Sequence, residues 1–141
     1  MILKRENGAI LEIRSKNRLF ALVFRKTLKA DGVRFLTPLN YPMQIGVLDH
    51  KKGKKVGLHR HSDLKYKVNT TQEVLYVERG TARVTITDRA WRPLGTVTLT
   101  KGDFVLSVDG GHAVDIAKNT RIIEVKQGPY PGDTKAKILP H

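Results

Sequence analysis

Period-two alternation runs through the middle of this chain and constrains its fold more than any other feature. Ala82, Val84 and Ile86 alternate with Arg83, Thr85 and Thr87; Val97 and Leu99 alternate with Thr96, Thr98 and Thr100; Phe104, Leu106 and Val108 alternate with Val105 and Ser107. Successive side chains of a strand point to opposite faces, so this pattern predicts strands with one face buried. Breaks at Lys51-Lys52-Gly53-Lys54, Arg79-Gly80, Arg92-Pro93-Leu94-Gly95, Lys101-Gly102-Asp103 and Asp109-Gly110-Gly111 cut the run into pieces of hairpin length. The spacing predicts an all-β chain folded as an antiparallel sandwich or barrel, in which closure of the sheet removes exposed edges.

Gln44–Leu48 and Val56–His61 are expected to form one hairpin and Glu73–Glu78 and Ala82–Thr87 the next, with Arg121–Gln127 late in the barrel. Leu19–Phe24 is continuously apolar and fits a strand buried on both faces or a short helix, with the strand favoured. Gly128-Pro129-Tyr130-Pro131-Gly132-Asp133 cannot continue a sheet, because proline lacks an amide donor and glycine favours turns. Residues 128–141 therefore read as a surface tail. The expected organisation is a single domain over 1–141, with N-terminal strands in 1–39.

The 141 residues, with twelve glycines, six prolines and 40% hydrophobic residues, suit one globular domain with many turns. No apolar run approaches the eighteen or so residues that span a bilayer, and Lys4-Arg5-Glu6-Asn7-Gly8 stands where a signal peptide has its apolar stretch. A cytoplasmic protein with no membrane contact is expected. The absence of cysteine excludes disulfides, thiolate nucleophiles and sulfur-ligated zinc, leaving nitrogen and oxygen to hold any metal. The net charge of +13 is uneven: sixteen Lys/Arg face five Asp/Glu in 1–67, and ten face eight in 68–141. Such a balance favours anionic partners or serves solubility. Nucleic acid is the less favoured partner, because only 6% of residues are aromatic and no base-stacking signature is present.

His59-Arg60-His61, followed by Glu73 and His112, supplies four ligand-type side chains in an order that can surround one ion. On a strand, His59 and His61 project to the same side while Arg60 points away, which makes the pair a chelate. Three imidazoles and one carboxylate suit first-row divalent ions such as Fe, Mn, Ni, Co or Zn, and do not choose among them. Four protein ligands around an octahedral ion leave two positions open, as a catalytic site requires. His50 and His141 lie outside the pattern and read as solvated.

In this order the residues resemble the cupin superfamily. Gly53 or Gly57, His59, His61, Glu73 and Gly80 match the first cupin motif, and Gly102-Asp103, Gly110-Gly111 and His112 match the second. The resemblance spans residues 40–127. It departs from the motif in the eleven residues Ser62 to Gln72, an insertion between His61 and Glu73, and in Val108 and Ile116, which replace the usual proline and asparagine. The resemblance implies a single antiparallel jelly-roll β-barrel, often a homodimer, with a metal held by His59, His61, Glu73 and His112.

Other residues are candidates for the pocket. Glu124 and Lys126 share one face of the last strand and Ile123, Val125 and Gln127 the other. An inward Lys126 would bind an anionic group with Glu124 as its partner, but burial preferences favour the apolar face inward. The inserted loop, with Tyr66, reads as a lid or as a plain connection, and Gln44 is placed toward the cavity by register.

The resulting expectation is a metal-dependent enzyme acting on a sugar, sugar phosphate or carboxylic acid. The chemistry would be isomerase, epimerase or lyase, part of carbohydrate metabolism, with the ion as Lewis acid and Glu73, Lys126 or Tyr66 moving protons. An iron-dependent dioxygenase and a non-enzymatic small-molecule-binding cupin are the alternatives, because a fold of this kind does not by itself fix function.

Overall fold

A computed structural model describes residues 1–140. His141, read above as solvated, lies outside the described residues. The chain is all-β, with antiparallel sheets and almost no helix. It divides into two compact units, one made of residues 1–28 and 70–141 and the other of residues 29–69.

The first unit is built from two sheets. One has six strands in the order β1 (Ile2–Arg5), β2 (Ile10–Ser15), β3 (Arg18–Phe24), β9 (Phe104–Ser107), β6 (Glu73–Arg79) and β11 (Arg121–Lys126). The other has three strands in the order β10 (Gly111–Ile116), β7 (Thr81–Thr87) and β8 (Pro93–Thr100). Alternation builds the shared core. Leu11, Ile13, Ala21, Val23, Leu75, Val77 and Val105 of the larger sheet pack with Ala82, Val84, Ile86, Val97 and Leu99 of the smaller one. These residues sit at every second position of their strands, as the sequence pattern requires.

The continuous apolar run Leu19–Phe24 falls within β3, and both of its faces are buried: Ala21 and Val23 on the core side, Leu22 and Phe24 on the other. Phe24 stacks on Phe104 with ring centroids 4.8 Å apart. The strands expected at Glu73–Glu78 and Ala82–Thr87 both form, but not as a hairpin: β6 pairs with β9 and β11, β7 pairs with β10 and β8, and the chain passes from one sheet to the other at Gly80, with φ +84°. Asp103 at the turn between β8 and β9, and Asp88 just after β7, replace missing backbone partners. Asp103 accepts from the amides of Lys26 and Thr100 and from Arg25, and Asp88 from the amides of Ala90 and Arg92. Burial pushes the Asp103 carboxyl up, and these hydrogen bonds outweigh it and hold the group below the usual carboxylate range.

The second unit holds one two-stranded sheet, β4 (Gly32–Phe35) with β5 (Gly46–Asp49). This corrects the expected hairpin of Gln44–Leu48 with Val56–His61. The partner of β5 precedes it in sequence, and Val56–His61 forms no strand. The cause is local. Val33 and Phe35 give β5 a cross-strand partner, whereas Gly53, Gly57 and four lysines leave Lys51–His61 with too little β-propensity and too few apolar positions to pair. Gln44 donates to the carbonyl and hydroxyl of Thr37, at 2.8 and 3.1 Å, and so closes the β4–β5 connection. Residues 128–140 contain one short helical turn, Asp133–Ala136, with no buried residue.

Candidate functional site

At one end of the first unit the inward face of the larger sheet changes from apolar to polar. Register sets Ala21, Ser107, Glu73 and Lys126 side by side in one row across β3, β9, β6 and β11. The next row inward is Val23, Val105, Leu75 and Glu124. Directly opposed residues of neighbouring strands share a face and lie within side-chain reach, so Glu73 is flanked by Ser107 on one side and Lys126 on the other. From the smaller sheet, His112 on β10 opposes the core residue Ile86 and therefore points into the same interior.

The distances make this a cluster. His112 Nε2 lies 3.2 Å from Glu73 Oε1. Lys126 Nζ donates to Glu124 Oε1 at 2.6 Å and stands 3.7 Å from Glu73 Oε2. The Tyr130 ring covers Lys126 Nζ at 4.9 Å from its centroid, and the Tyr130 hydroxyl donates to Asp133. Ser107 is 8% exposed and its hydroxyl has no hydrogen-bond partner among the described residues.

Burial pushes the Glu73 carboxyl up, but the contact with His112, with the charges of His112 and Lys126, overcomes it and lowers the group to about 2. Glu73 is therefore an ionised acceptor. Lys126 moves the other way: its hydrogen bond to Glu124 raises it, and the charges of Glu124 and Glu73 add to this against burial. A lysine held protonated is a donor and an electrostatic anchor, not a base at neutral pH.

The arrangement on β11 reverses the orientation favoured from sequence. Ile122 packs on the core, with Glu124 and Lys126 on its face, while Ile123 and Val125 are exposed. Burial preference loses here because the polar groups find partners: Lys126 neutralises two carboxylates, which removes most of the penalty for turning that face inward.

Of the expected site residues, Glu73, His112 and Lys126 come together. His59 and His61 belong to the other unit, in irregular chain, so strand alternation does not orient them; their rings meet edge to face with centroids 5.3 Å apart, and His59 Nδ1 contacts the Gly57 carbonyl at 2.9 Å. Tyr66, in the same unit, donates its hydroxyl to the Pro42 carbonyl at 3.2 Å. Among the described residues no three His, Asp or Glu side chains gather as a preformed metal cage. Sequence reasoning left Ser107 and Tyr130 out of the site. Ser107 had a readable signal as the polar end of an otherwise apolar β9, whereas Tyr130 sits in a Pro/Gly segment that carries no periodicity.

Among the described residues no helix is long and apolar enough to cross a membrane. Comparison with known protein families, with characterised proteins and with solved structures finds no match to this chain.

Proposed function

We propose that this chain is a cupin-like jelly-roll protein, acting as a homodimer, that binds a divalent first-row metal through Glu73 and His112 and acts on a small polar or anionic molecule. The reaction class is Lewis-acid isomerisation, epimerisation or elimination. His59 and His61 remain the other proposed ligands.

The observation that carries the reading is the 3.2 Å separation of Glu73 Oε1 and His112 Nε2. Two donors bonded to one ion at about 2.1 Å and at right angles stand about 3.0 Å apart, so this pair needs little movement to chelate. The donor chemistry fits as well. A metal requires a deprotonated carboxylate, and the ammonium of Lys126, 3.7 Å from Glu73 Oε2, favours that form.

A bound ion would supply Lewis acidity toward a carbonyl oxygen of the substrate. The protein's own groups do the rest. Lys126 donates hydrogen bonds and fixes charge at the polar row, Glu124 keeps Lys126 protonated, and the apolar core beneath Leu75 and Ile86 excludes water from one side of the site.

The test is metal analysis of protein purified without chelators, beside His112→Ala and His59→Ala/His61→Ala variants. The reading expects near-stoichiometric metal that both variants lose. Protein that carries no metal and takes up none of the added divalent ions contradicts it. Iron together with substrate-dependent oxygen uptake would assign the dioxygenase instead.

A further inference from the structure

The polar row also bears on what kind of molecule it receives, through its charge balance and one unused hydroxyl. Lys126 is the cationic side chain of the row, and it is already flanked by Glu124 at 2.6 Å and Glu73 at 3.7 Å. A phosphate or carboxylate arriving at the Lys126 end of the row would meet two carboxylates for one ammonium, because His112 is already engaged by Glu73 at 3.2 Å. Like charges at such range disfavour an anion.

Hydroxyl groups face no such obstacle. A carboxylate accepts from an alcohol, and an ammonium or serine hydroxyl donates to it. Ser107 gives the independent indication. It is more than nine-tenths buried, it lies on the inward face directly opposite Glu73, and its hydroxyl is unpartnered among the described residues. Leaving a buried hydroxyl unpaired costs about 1–3 kcal/mol, so its retention at the edge of a polar cluster points to a partner that arrives from outside.

We propose that Ser107, Glu73, Glu124 and Lys126 form a hydrogen-bonding subsite for a neutral, hydroxyl-rich ligand, a sugar ring or alditol, and not for its phosphorylated or carboxylated counterpart. The proposal rests on the reading that this end of the unit receives a small molecule, and it narrows the substrate class. Lys126 and Ser107 serve as donors to ligand oxygens, Glu73 and Glu124 as acceptors of ligand hydroxyls, and the Tyr130 ring over Lys126 offers an apolar face of the kind sugar C–H groups pack on.

The experiment is ligand-observed NMR and thermal-shift titration of the full chain against a matched panel: neutral hexoses and alditols, their monophosphates, and the corresponding aldonates. Each titration is made on metal-loaded and on chelator-treated protein. The expected result is that neutral members bind at least tenfold tighter than their anionic counterparts. Ser107→Ala should weaken that binding about three- to tenfold, in line with loss of one hydrogen bond. It should leave the melting temperature of the unliganded protein unchanged or raised, because the residue removed is an unpaired buried hydroxyl. Glu124→Gln should weaken neutral ligands while improving anionic ones. Tighter binding of phosphates or aldonates, no binding of any neutral member, or full affinity in Ser107→Ala would each overturn the proposal. Neutral-sugar binding by a protein that holds no metal would overturn the metal reading alone, and anion preference by a metal-loaded protein would overturn this one alone.

Discussion

His112 Nε2 stands 3.2 Å from Glu73 Oε1, joining β10 of the three-stranded sheet to β6 of the six-stranded sheet at the polar end of their shared core. Glu73 is also the centre of its own row, with Ser107 and Lys126 as its cross-strand neighbours. One carboxylate thus links a sheet-to-sheet contact with the candidate site, and its ionisation can be followed.

The Glu73 carboxyl lies at about 2 in the folded chain against 4.5 for a free glutamate. A lowered value means that ionised Glu73 stabilises the fold fully above pH 4.5, and that this contribution fades as pH falls toward 2. In chelator-treated protein, Glu73→Gln should cost on the order of 2–3 kcal/mol at pH 7. The gap to the parent should narrow steadily below pH 4.5. Urea unfolding across pH 2–7 checks it; a gap independent of pH would contradict the ionised pair.

The two faces of β11 should respond in opposite ways to the same change. Ile122→Thr places a hydroxyl against the core and should cost about 2 kcal/mol. Ile123→Thr alters an exposed position and should cost less than about 0.5 kcal/mol. Denaturation midpoints of the two variants decide the matter, and a reversed order would restore the orientation favoured by hydrophobicity alone.

That strand marks where sequence reading reached its limit. Ala82, Val84 and Ile86 could be placed inward because each neighbour on the other face, Arg83, Thr85 and Thr87, is polar. On β11 both faces carried plausible occupants, and the outcome turned on ion pairs with Glu73, a residue more than forty positions away. The His59–His61 segment failed for a different reason. Alternation orients side chains only where a partner strand exists, and Phe35 and Val33 had already taken that place beside β5. Glu73 and His112 were legible from the order of ligand-type residues and from the turn glycines Gly80 and Gly110 beside their strands.

Asp103 is 3% exposed and gathers four hydrogen bonds, from Lys26 N, Thr100 N, Thr100 Oγ1 and Arg25 Nη1 at 2.9–3.2 Å. Asp103→Ala leaves two backbone amides and a guanidinium without that partner. A loss of about 2–4 kcal/mol is expected from equilibrium unfolding. Asp103→Asn should recover part of it, since its amide oxygen can still accept one of the backbone bonds.

Gly80 combines φ +84° with close packing: an added Cβ would lie 2.3 Å from Thr120 Oγ1 and 2.7 Å from its Cα. Thr120 Oγ1 in turn accepts from the Thr81 amide and donates to the Thr81 carbonyl, both at 3.0 Å. Gly80→Ala should therefore destabilise the chain by about 2–3 kcal/mol, through backbone strain and a displaced threonine. Gly53→Ala, also at positive φ but with open space around its Cβ, should cost about 1 kcal/mol or less. Thermal unfolding of the pair separates crowding from conformation.

If Glu73 and His112 bind one metal ion together, the His112 ring must respond to it and the response must depend on Glu73. The most direct measurement is NMR of the histidine side chains during titration of chelator-treated protein with Zn²⁺, repeated in Glu73→Gln. The His112 ring signals should change until one equivalent is added, and the variant should weaken this binding by at least tenfold. His112 signals that stay fixed while the protein takes up zinc elsewhere, or that respond equally in Glu73→Gln, would contradict it.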